Sequence, residues 1–426
     1  MKDLKTKRYL LGGILLLSTA VALAQTTTYD AYAGWYKQWN DSLKGAHITA
    51  AQHYLQLRHA KVKRQVVVGI VDSGIDVDSR ALKSVLWTNA KEKLNGRDDD
   101  GNGYVDDVHG WNFLGTKDGK FNMTSAGTEE YRQFKRLYPK YKYVKSAAEV
   151  PDSNRAEYAY YVEMRRKAKI NSYLMFYEAT ARKQRLIHEM DSLLRTDHVA
   201  VDTLTMGSVM RVQVGDTLIR NSFVQAAMTD LYRTPKTTLW NSYVAKQQAA
   251  LVQMEQRIRG IECDQDKRLL MGDRLDDATD RFYGNNQLNI EGMEHGHFVA
   301  SVVAGVVADD ARYNGVWPQA RLMAIRISPE GDEYDKDVAS GIRYAVDNGA
   351  KVVNLSFGKY TSPHPEMVNE AIAYAAKHDV LVIAAAGNNH LNIDSVDYFP
   401  AAVDDKGKTF ANFIRVGGTA MDGSRS

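Results

Sequence analysis

Three side chains at separate places in the chain could together perform acyl transfer. Asp72 ends a run of apolar residues, His295 opens a segment of small and apolar residues, and Asn388 follows another apolar run. A carboxylate can orient an imidazole, the imidazole can act as a general base, and an amide can donate to a developing oxyanion. Each residue alone is also explained by a strand end, a helix start or a turn. Their combination predicts nucleophilic catalysis.

A second group of oxygen ligands lies in the acidic segment 98–107. Its oxygens fall at the alternating positions of a calcium loop, with a glycine where such a loop turns. His109 stands where that loop would have a bidentate Glu. The alternative is an acidic surface turn, but so many like charges would repel each other without a cation. The sequence therefore predicts calcium, held by Asp98, Asp100, Asn102, the Tyr104 carbonyl and Asp106.

The elements that must position the catalytic residues alternate between strand and helix. Continuous β-branched runs predict strands that are buried on both faces, and amphipathic segments between them predict helices. This order is typical of a doubly wound α/β fold, with helices on both faces of a parallel sheet. Ligands then meet the carboxyl ends of the strands, where Asp72, Ser356 and Gly387 fall. The runs occupy 65–72, 322–327, 352–356 and 380–384, and the helices occupy 337–348 and 365–377.

A long segment, 116–287, interrupts this alternation. Apolar residues recur at helical spacing over 170–194 and 240–261, which predicts two long helices packed as a hairpin. Between them, 201–219 alternates weakly and contains Val214-Gly215-Asp216, which favours a β-hairpin. The segment is therefore expected to be a mostly helical insertion. Whether it shields a cleft or binds a partner stays open.

In chain order, the segments around Asp72, His295 and Asn388 resemble the motifs D-[ST]-G, H-G-T-H-V-A-G and A-A-G-N of the subtilisin-like serine peptidases. Residues 315–318 and 353–358 resemble two further motifs of that family. The resemblance implies that Asp72 orients His295, that His295 is the general base and acid, and that Asn388 stabilises the oxyanion. It also implies protein or peptide substrates, bound by Ser356, Phe357, Gly358 and Gly387.

The sequence departs from the family pattern in two places. His297, Phe298 and Ser301 replace the Thr, the second His and the final Gly of the histidine motif. The serine motif G-T-S-M-A-x-P does not occur, because in the nearest match, 418–421, Ala stands for Ser and no Pro follows. We therefore expect the nucleophile to lie beyond residue 426, the C-terminal part of the domain to be missing, and the chain alone to be inactive.

Two other functions compete with a peptidase. A non-catalytic relative could hold peptides without cutting them, and a serine motif beyond residue 426 would distinguish the two. A dinucleotide-binding enzyme would need G-x-G-x-x-G after the first strand, where this chain has Asp72 and Asp76. That enzyme is set aside, and no organic cofactor is expected.

Composition and charge narrow the class of protein. Of 426 residues, 44% are hydrophobic and 25% are charged, which excludes collagen-like and disordered chains. The formal charge of +3 arises within residues 1–24, so nothing indicates a nucleic-acid partner. Those residues have the basic start, apolar run and small-x-small end of a cleaved signal peptide. The protein is expected to be exported, to the periplasm, the cell surface or the medium, with no later membrane span.

The expected organisation follows from these segments. A lead-in segment, 25–60, follows the signal peptide, 1–24. The subtilisin-like domain is expected over 61–115 and 288–426, with the helical insertion at 116–287.

Overall fold

A computed structural model describes residues 34–58, 65–263 and 266–425, without the side chains of 257 and 261–263. Its main sheet has six strands: β1 Val67–Asp72, β2 Gly110–Asn112, β4 Arg321–Arg326, β6 Val352–Leu355, β7 Leu381–Ala385 and β8 Phe413–Val416. Their spatial order is β2-β4-β1-β6-β7-β8, and every neighbouring pair is parallel. The strand β1 therefore lies inside the sheet, flanked by β4 and β6.

The helices are α1 Ile48–Leu57, α2 Glu129–Tyr141, α3 Arg155–Lys167, α4 Ile170–Thr196, α5 Thr217–Arg233, α6 Trp240–Cys263, α7 Glu294–Ala304, α8 Asp335–Asp347 and α9 Pro365–Lys377. Alternate residues of the strands face opposite sides of the sheet. Val71 and Ile325 pack with residues of α8 and α9, whereas Ile70 and Ala324 pack with residues of α7. Helices thus cover both faces, and the predicted doubly wound α/β fold is confirmed.

A second, two-stranded sheet lies beside the carboxyl end of β4. It pairs β3, Ser125–Gly127, with β5, Glu330–Gly331, in parallel. The amide N–H of Glu330 donates to the Thr124 carbonyl at 2.7 Å, and that of Asp332 donates to the Gly127 carbonyl at 3.0 Å. The chain segment that precedes the long helices is therefore joined to the loop that follows β4.

The chain divides into two compact units, 130–266 and the remainder. Within 130–266, α4 packs against both α5 and α6. Ile187, Met190 and Leu194 of α4 share one core with Phe223 and Trp240. The predicted pairing of two long helices is confirmed. The domain boundaries given above stay a prediction, although the structural division falls at Glu129 and Lys267.

The β-hairpin expected near Val214-Gly215-Asp216 is wrong. Asp216 instead begins α5, a helix that the sequence analysis did not identify. Its carboxylate accepts the amide N–H groups of Leu218 at 2.8 Å and Ile219 at 3.1 Å. A Gly-Asp pair can open a hairpin, but an Asp is also among the best helix N-caps, and here the helix forms.

The predicted signal peptide, 1–24, lies outside the described residues. The lead-in segment contains the helix α1. In the described ranges, no helix combines the length and the apolar character needed to cross a bilayer.

Candidate active site

Asp72 is the last residue of β1, and its side chain is 1% exposed. The Oδ1 atom accepts the amide N–H of Ser73 at 2.7 Å and lies 2.7 Å from Nδ1 of His295. Because an ionised carboxylate can only accept, Nδ1 must carry the proton. The other ring nitrogen, Nε2, is then the basic one, which is the tautomer that a general base requires.

His295 is the second residue of α7, and the start of this helix lies directly against the end of β1. The amide N–H of Gly296 donates to Ser73 Oγ at 3.0 Å. A Cβ atom on Gly296 would lie 2.3 Å from the carbonyl oxygen of Gly74. Only glycine permits so close an approach, which explains why glycine follows the histidine.

The electrostatics of the pair favour proton uptake by the imidazole. The hydrogen bond to Asp72 raises the pKa of His295 above its usual value, and partial burial opposes this rise. Glu333 raises it further through its negative charge. Burial raises the pKa of the Glu333 carboxyl itself to about 7, although the hydroxyl of Ser328 donates to it at 3.0 Å. The His295 side chain is 58% exposed, so its basic nitrogen is accessible.

The other predicted site residues follow the next two strands of the sheet. Ser356, Phe357 and Gly358 follow β6, and Gly387 and Asn388 follow β7. Since β1, β6 and β7 are adjacent and parallel, their carboxyl ends lie at one edge of the sheet. The structure therefore collects all the predicted catalytic and substrate-binding residues at that edge.

Comparison with known proteins identifies this arrangement. Residues 63–426 match the subtilase family, peptidase family S8. The chain belongs to the subtilase family.

Curated relatives match parts of this subtilase. A thermophilic serine proteinase of Bacillus sp. strain AK1 is 33% identical over 130 residues, which is 30% of each chain. Fervidolysin of Fervidobacterium pennivorans is 34% identical over 30% of this chain and 18% of its own. Thermitase of Thermoactinomyces vulgaris is 34% identical over 25% of this chain and 38% of its own. The subtilase thus spans between about a fifth and two fifths of these relatives.

Solved structures also match it in part. Sphericase is 30% identical, with a TM-score of 0.25 over 29% of this chain and 39% of its own. The nisin leader peptidase of Lactococcus lactis is 25% identical, with a TM-score of 0.28 over 33% and 46%.

Three serines of this subtilase lie near the catalytic edge, and each hydroxyl has another partner. Ser73 Oγ accepts from Gly296, Ser328 Oγ donates to Glu333, and Ser356 Oγ accepts from the Asn354 amide at 2.9 Å. Within the described ranges, no serine is recorded in a hydrogen bond to His295. A nucleophile in contact with the base is therefore not among these three residues.

Sequence reasoning missed Tyr398, which packs against two predicted substrate-binding glycines. A Cβ atom on Gly358 would lie 2.3 Å from the Tyr398 hydroxyl oxygen, and one on Gly387 would lie 3.0 Å from it. Tyr398 is buried, so it supports the backbone of both segments from within. The two glycines were the only signal in the sequence for such a contact.

The acidic segment of the subtilase brings some of its predicted ligands together. Asp98 and Asp100 lie with Glu92, and one carboxylate oxygen of each lies within 4.8 Å of the others. Glu92 is buried and was not among the predicted ligands. Asp106 does not belong to this group, and its Oδ1 instead accepts the amide N–H groups of Asn95 at 2.8 Å and Gly96 at 3.0 Å. The oxygen ligands suit a hard cation such as calcium.

Proposed function

We propose that this subtilase is an exported serine endopeptidase that hydrolyses peptide bonds in proteins. The observation that carries the proposal is the 2.7 Å contact between His295 Nδ1 and the buried carboxylate of Asp72. It fixes the tautomer in which Nε2 can take a proton from a hydroxyl. We place the nucleophilic serine in a segment that follows residue 426, because the three serines near the described edge are engaged elsewhere.

The described residues would act in sequence. An extended peptide pairs with the backbone of 356–358, which places its scissile carbonyl near His295. His295 takes the proton of the attacking serine, and Asp72 stabilises the imidazolium that forms. Asn388, which is exposed at the same edge, donates to the oxyanion. His295 then gives its proton to the leaving amine. These steps need no organic cofactor.

A second candidate is a peptide-binding protein that does not cut. The observation that favours it is that Ser73, Ser328 and Ser356 are each hydrogen-bonded away from His295. The same cleft would then hold a peptide by backbone pairing, and Asp72 and His295 would form part of its wall.

One experiment separates these functions. Fluorescein-labelled casein is incubated with the 426-residue chain and with a form extended by the coding sequence that follows, each with and without diisopropyl fluorophosphate. We expect hydrolysis by the extended form only, blocked by the reagent and abolished by His295→Ala. Hydrolysis by the 426-residue chain, sensitive to the reagent, would refute the placement of the nucleophile. A folded extended form that binds casein peptides and leaves them intact would favour the second candidate.

We further propose that the acidic segment holds a structural calcium ion. Glu92, Asp98 and Asp100 would supply its carboxylates, and the ion would offset their mutual repulsion. Its role would be to hold the loop together, at a distance from the catalytic steps.

Export is proposed from residues 1–24 and is tested by determining the first residue of the mature protein.

A further inference from the structure

Two clusters of buried charges meet at the first turn of α8. We name the first the rim cluster, formed by Lys359, Glu129 and Asp335, and the second the return cluster, formed by Arg268, Asp273, Lys336 and Asp337. Glu129 is the last residue before the helical unit 130–266, and Arg268 is the second residue after it. Residues that flank the helical unit in the sequence, one on each side, thus contact the same turn of α8, Arg268 directly and Glu129 through Lys359.

The rim cluster is centred on the ammonium group of Lys359, whose side chain is 4% exposed. Its Nζ donates to Glu129 Oε2 at 2.9 Å, to Asp335 Oδ1 at 2.9 Å and to the Glu333 carbonyl at 2.7 Å. Charge-assisted hydrogen bonds of this kind are strong and directional. Lys359 therefore holds its own segment, the segment 333–335 and the segment at Glu129 at a fixed separation.

Two of these segments border the proposed peptide cleft. Lys359 directly follows the predicted peptide-pairing residues 356–358. Glu333 follows β4, which lies on the other side of β1 from β6, so it borders the cleft from the opposite rim. The ammonium group thus connects the strand that would bind the peptide to the rim that faces the catalytic histidine.

The third segment leads into the helical unit. The Glu129 amide N–H donates to Asp332 Oδ2 at 2.7 Å, and β3 pairs with β5 on the same rim. Glu129 thereby contacts the rim through its backbone and contacts Lys359 through its carboxylate. Loss of that carboxylate charge would remove one of the charged contacts that fix Lys359 and would loosen its position relative to the rim.

We propose that Glu129 is a positioning residue for the peptide cleft and acts through Lys359. The proposal rests on the peptide binding proposed above. The segment that leads into the helical unit thereby helps to set the separation of the two cleft rims.

The test compares one variant from each cluster. Binding of fluorescein-labelled hexapeptides to the full 426-residue chain is measured by anisotropy, together with the melting temperature. We expect Glu129→Gln to raise Kd roughly tenfold, which is the effect of one charged hydrogen bond. Asp273→Asn, which removes a similar buried charge from the return cluster, should lower the melting temperature and change Kd less than about twofold.

A double-mutant cycle tests the route through Lys359. With Lys359→Met in place, Glu129→Gln should produce no further change in Kd, because the partner is already gone. Equal effects of Glu129→Gln and Asp273→Asn on Kd, or full additivity with Lys359→Met, would overturn the proposal. If Lys359→Met does not fold, the comparison of Glu129→Gln with Asp273→Asn still tests the proposal. Failure of the wild-type chain to bind any hexapeptide would instead refute the proposed peptide cleft.

Discussion

The Asp72–His295 pair differs from the acidic segment 98–107 in the groups that its carboxylate oxygens bind. Both regions were identified in the sequence from residue type and spacing. At the pair, one buried carboxylate oxygen serves an imidazole and a single amide. In the acidic segment, carboxylate oxygens accept backbone amides of nearby loop residues, as both oxygens of Asp98 do from Asn102 and Gly103. The groups that occupy a carboxylate's oxygens therefore decide whether it orients an imidazole or stabilises a loop.

The largest effect should come from removing the charge at the pair. In Asp72→Asn, an amide replaces the carboxylate that holds Nδ1–H, so His295 loses both its orientation and its stabilised imidazolium. We expect turnover by a form that carries the nucleophile to fall roughly 10⁴-fold. Asp76→Asn, a neighbouring acid outside the pair, is the control and should leave turnover within about twofold. Equal losses in both variants would contradict the assignment of Asp72.

The same variant predicts a pH effect. The folded-state pKa of His295 is raised, chiefly by its hydrogen bond to Asp72. The resulting stabilisation is fully present below the unfolded-state pKa and is lost as the pH rises through the folded-state pKa. In Asp72→Asn the pKa of His295 should fall and this pH-dependent stability should shrink. Histidine NMR titration of the 426-residue chain measures the first, and urea unfolding across that pH range measures the second.

A smaller effect should come from adding a Cβ atom at Gly296, next to His295. The Cβ atom of Gly296→Ala would lie 2.3 Å from the Gly74 carbonyl oxygen, so α7 must move away from β1. We expect a loss of about 3 kcal/mol in the free energy of unfolding, the upper end for overpacking. The matched change in the acidic segment is Gly101→Ala, where no heavy atom lies within 4 Å. Its cost should be limited to about 1 kcal/mol, from its left-handed backbone. Equal losses in urea unfolding would contradict the difference in packing.

Much of the fold could be predicted because the sequence patterns are local. The β-branched run that gave β1 is buried on both faces of a parallel sheet, so composition alone marks it. Asp72 and His295 could be found because one ends a strand and the other lies at the start of a helix. The hairpin error at Asp216 arose because one residue type serves both turns and N-caps, and the choice depends on the packing of α5.

The contacts that could not be predicted join distant parts of the chain. Glu92 lies outside the spacing of a calcium loop, and only folding brings it beside Asp98 and Asp100. Lys359 and Glu129 are 230 residues apart, and neither belongs to a motif. A buried ion pair between such residues leaves no periodic signal in one sequence, because it depends on where loops cross in the fold.

Calcium should stabilise the folded chain through the acidic segment. Calcium bound only by the folded chain would add about 2.7 kcal/mol to its stability at one hundred times the Kd. The melting temperature should therefore rise with calcium and fall with a chelator. Asp98→Asn removes one of the convergent carboxylates and should reduce this shift. Asp99→Asn is the matched control, since Asp99 instead accepts the side-chain amide of Asn95. No shift in the wild-type chain would refute the calcium proposal.

The smallest effect is expected at Asp106, where the spacing of the loop and its geometry make different predictions. Spacing predicts Asp106 as a calcium ligand, but its carboxylate accepts the amides of Asn95 and Gly96, and its own backbone is left-handed, with φ of 57°. Asparagine keeps an acceptor oxygen and adopts this conformation readily. Asp106→Asn should therefore change the free energy of unfolding by less than about 0.5 kcal/mol and should leave the calcium-dependent shift in melting temperature in place. If Asp106→Asn reduced the calcium-dependent shift in melting temperature as much as Asp98→Asn does, the Asp106 carboxylate would turn to the ion when calcium binds. Spacing would then have identified a ligand that the metal-free geometry directs elsewhere.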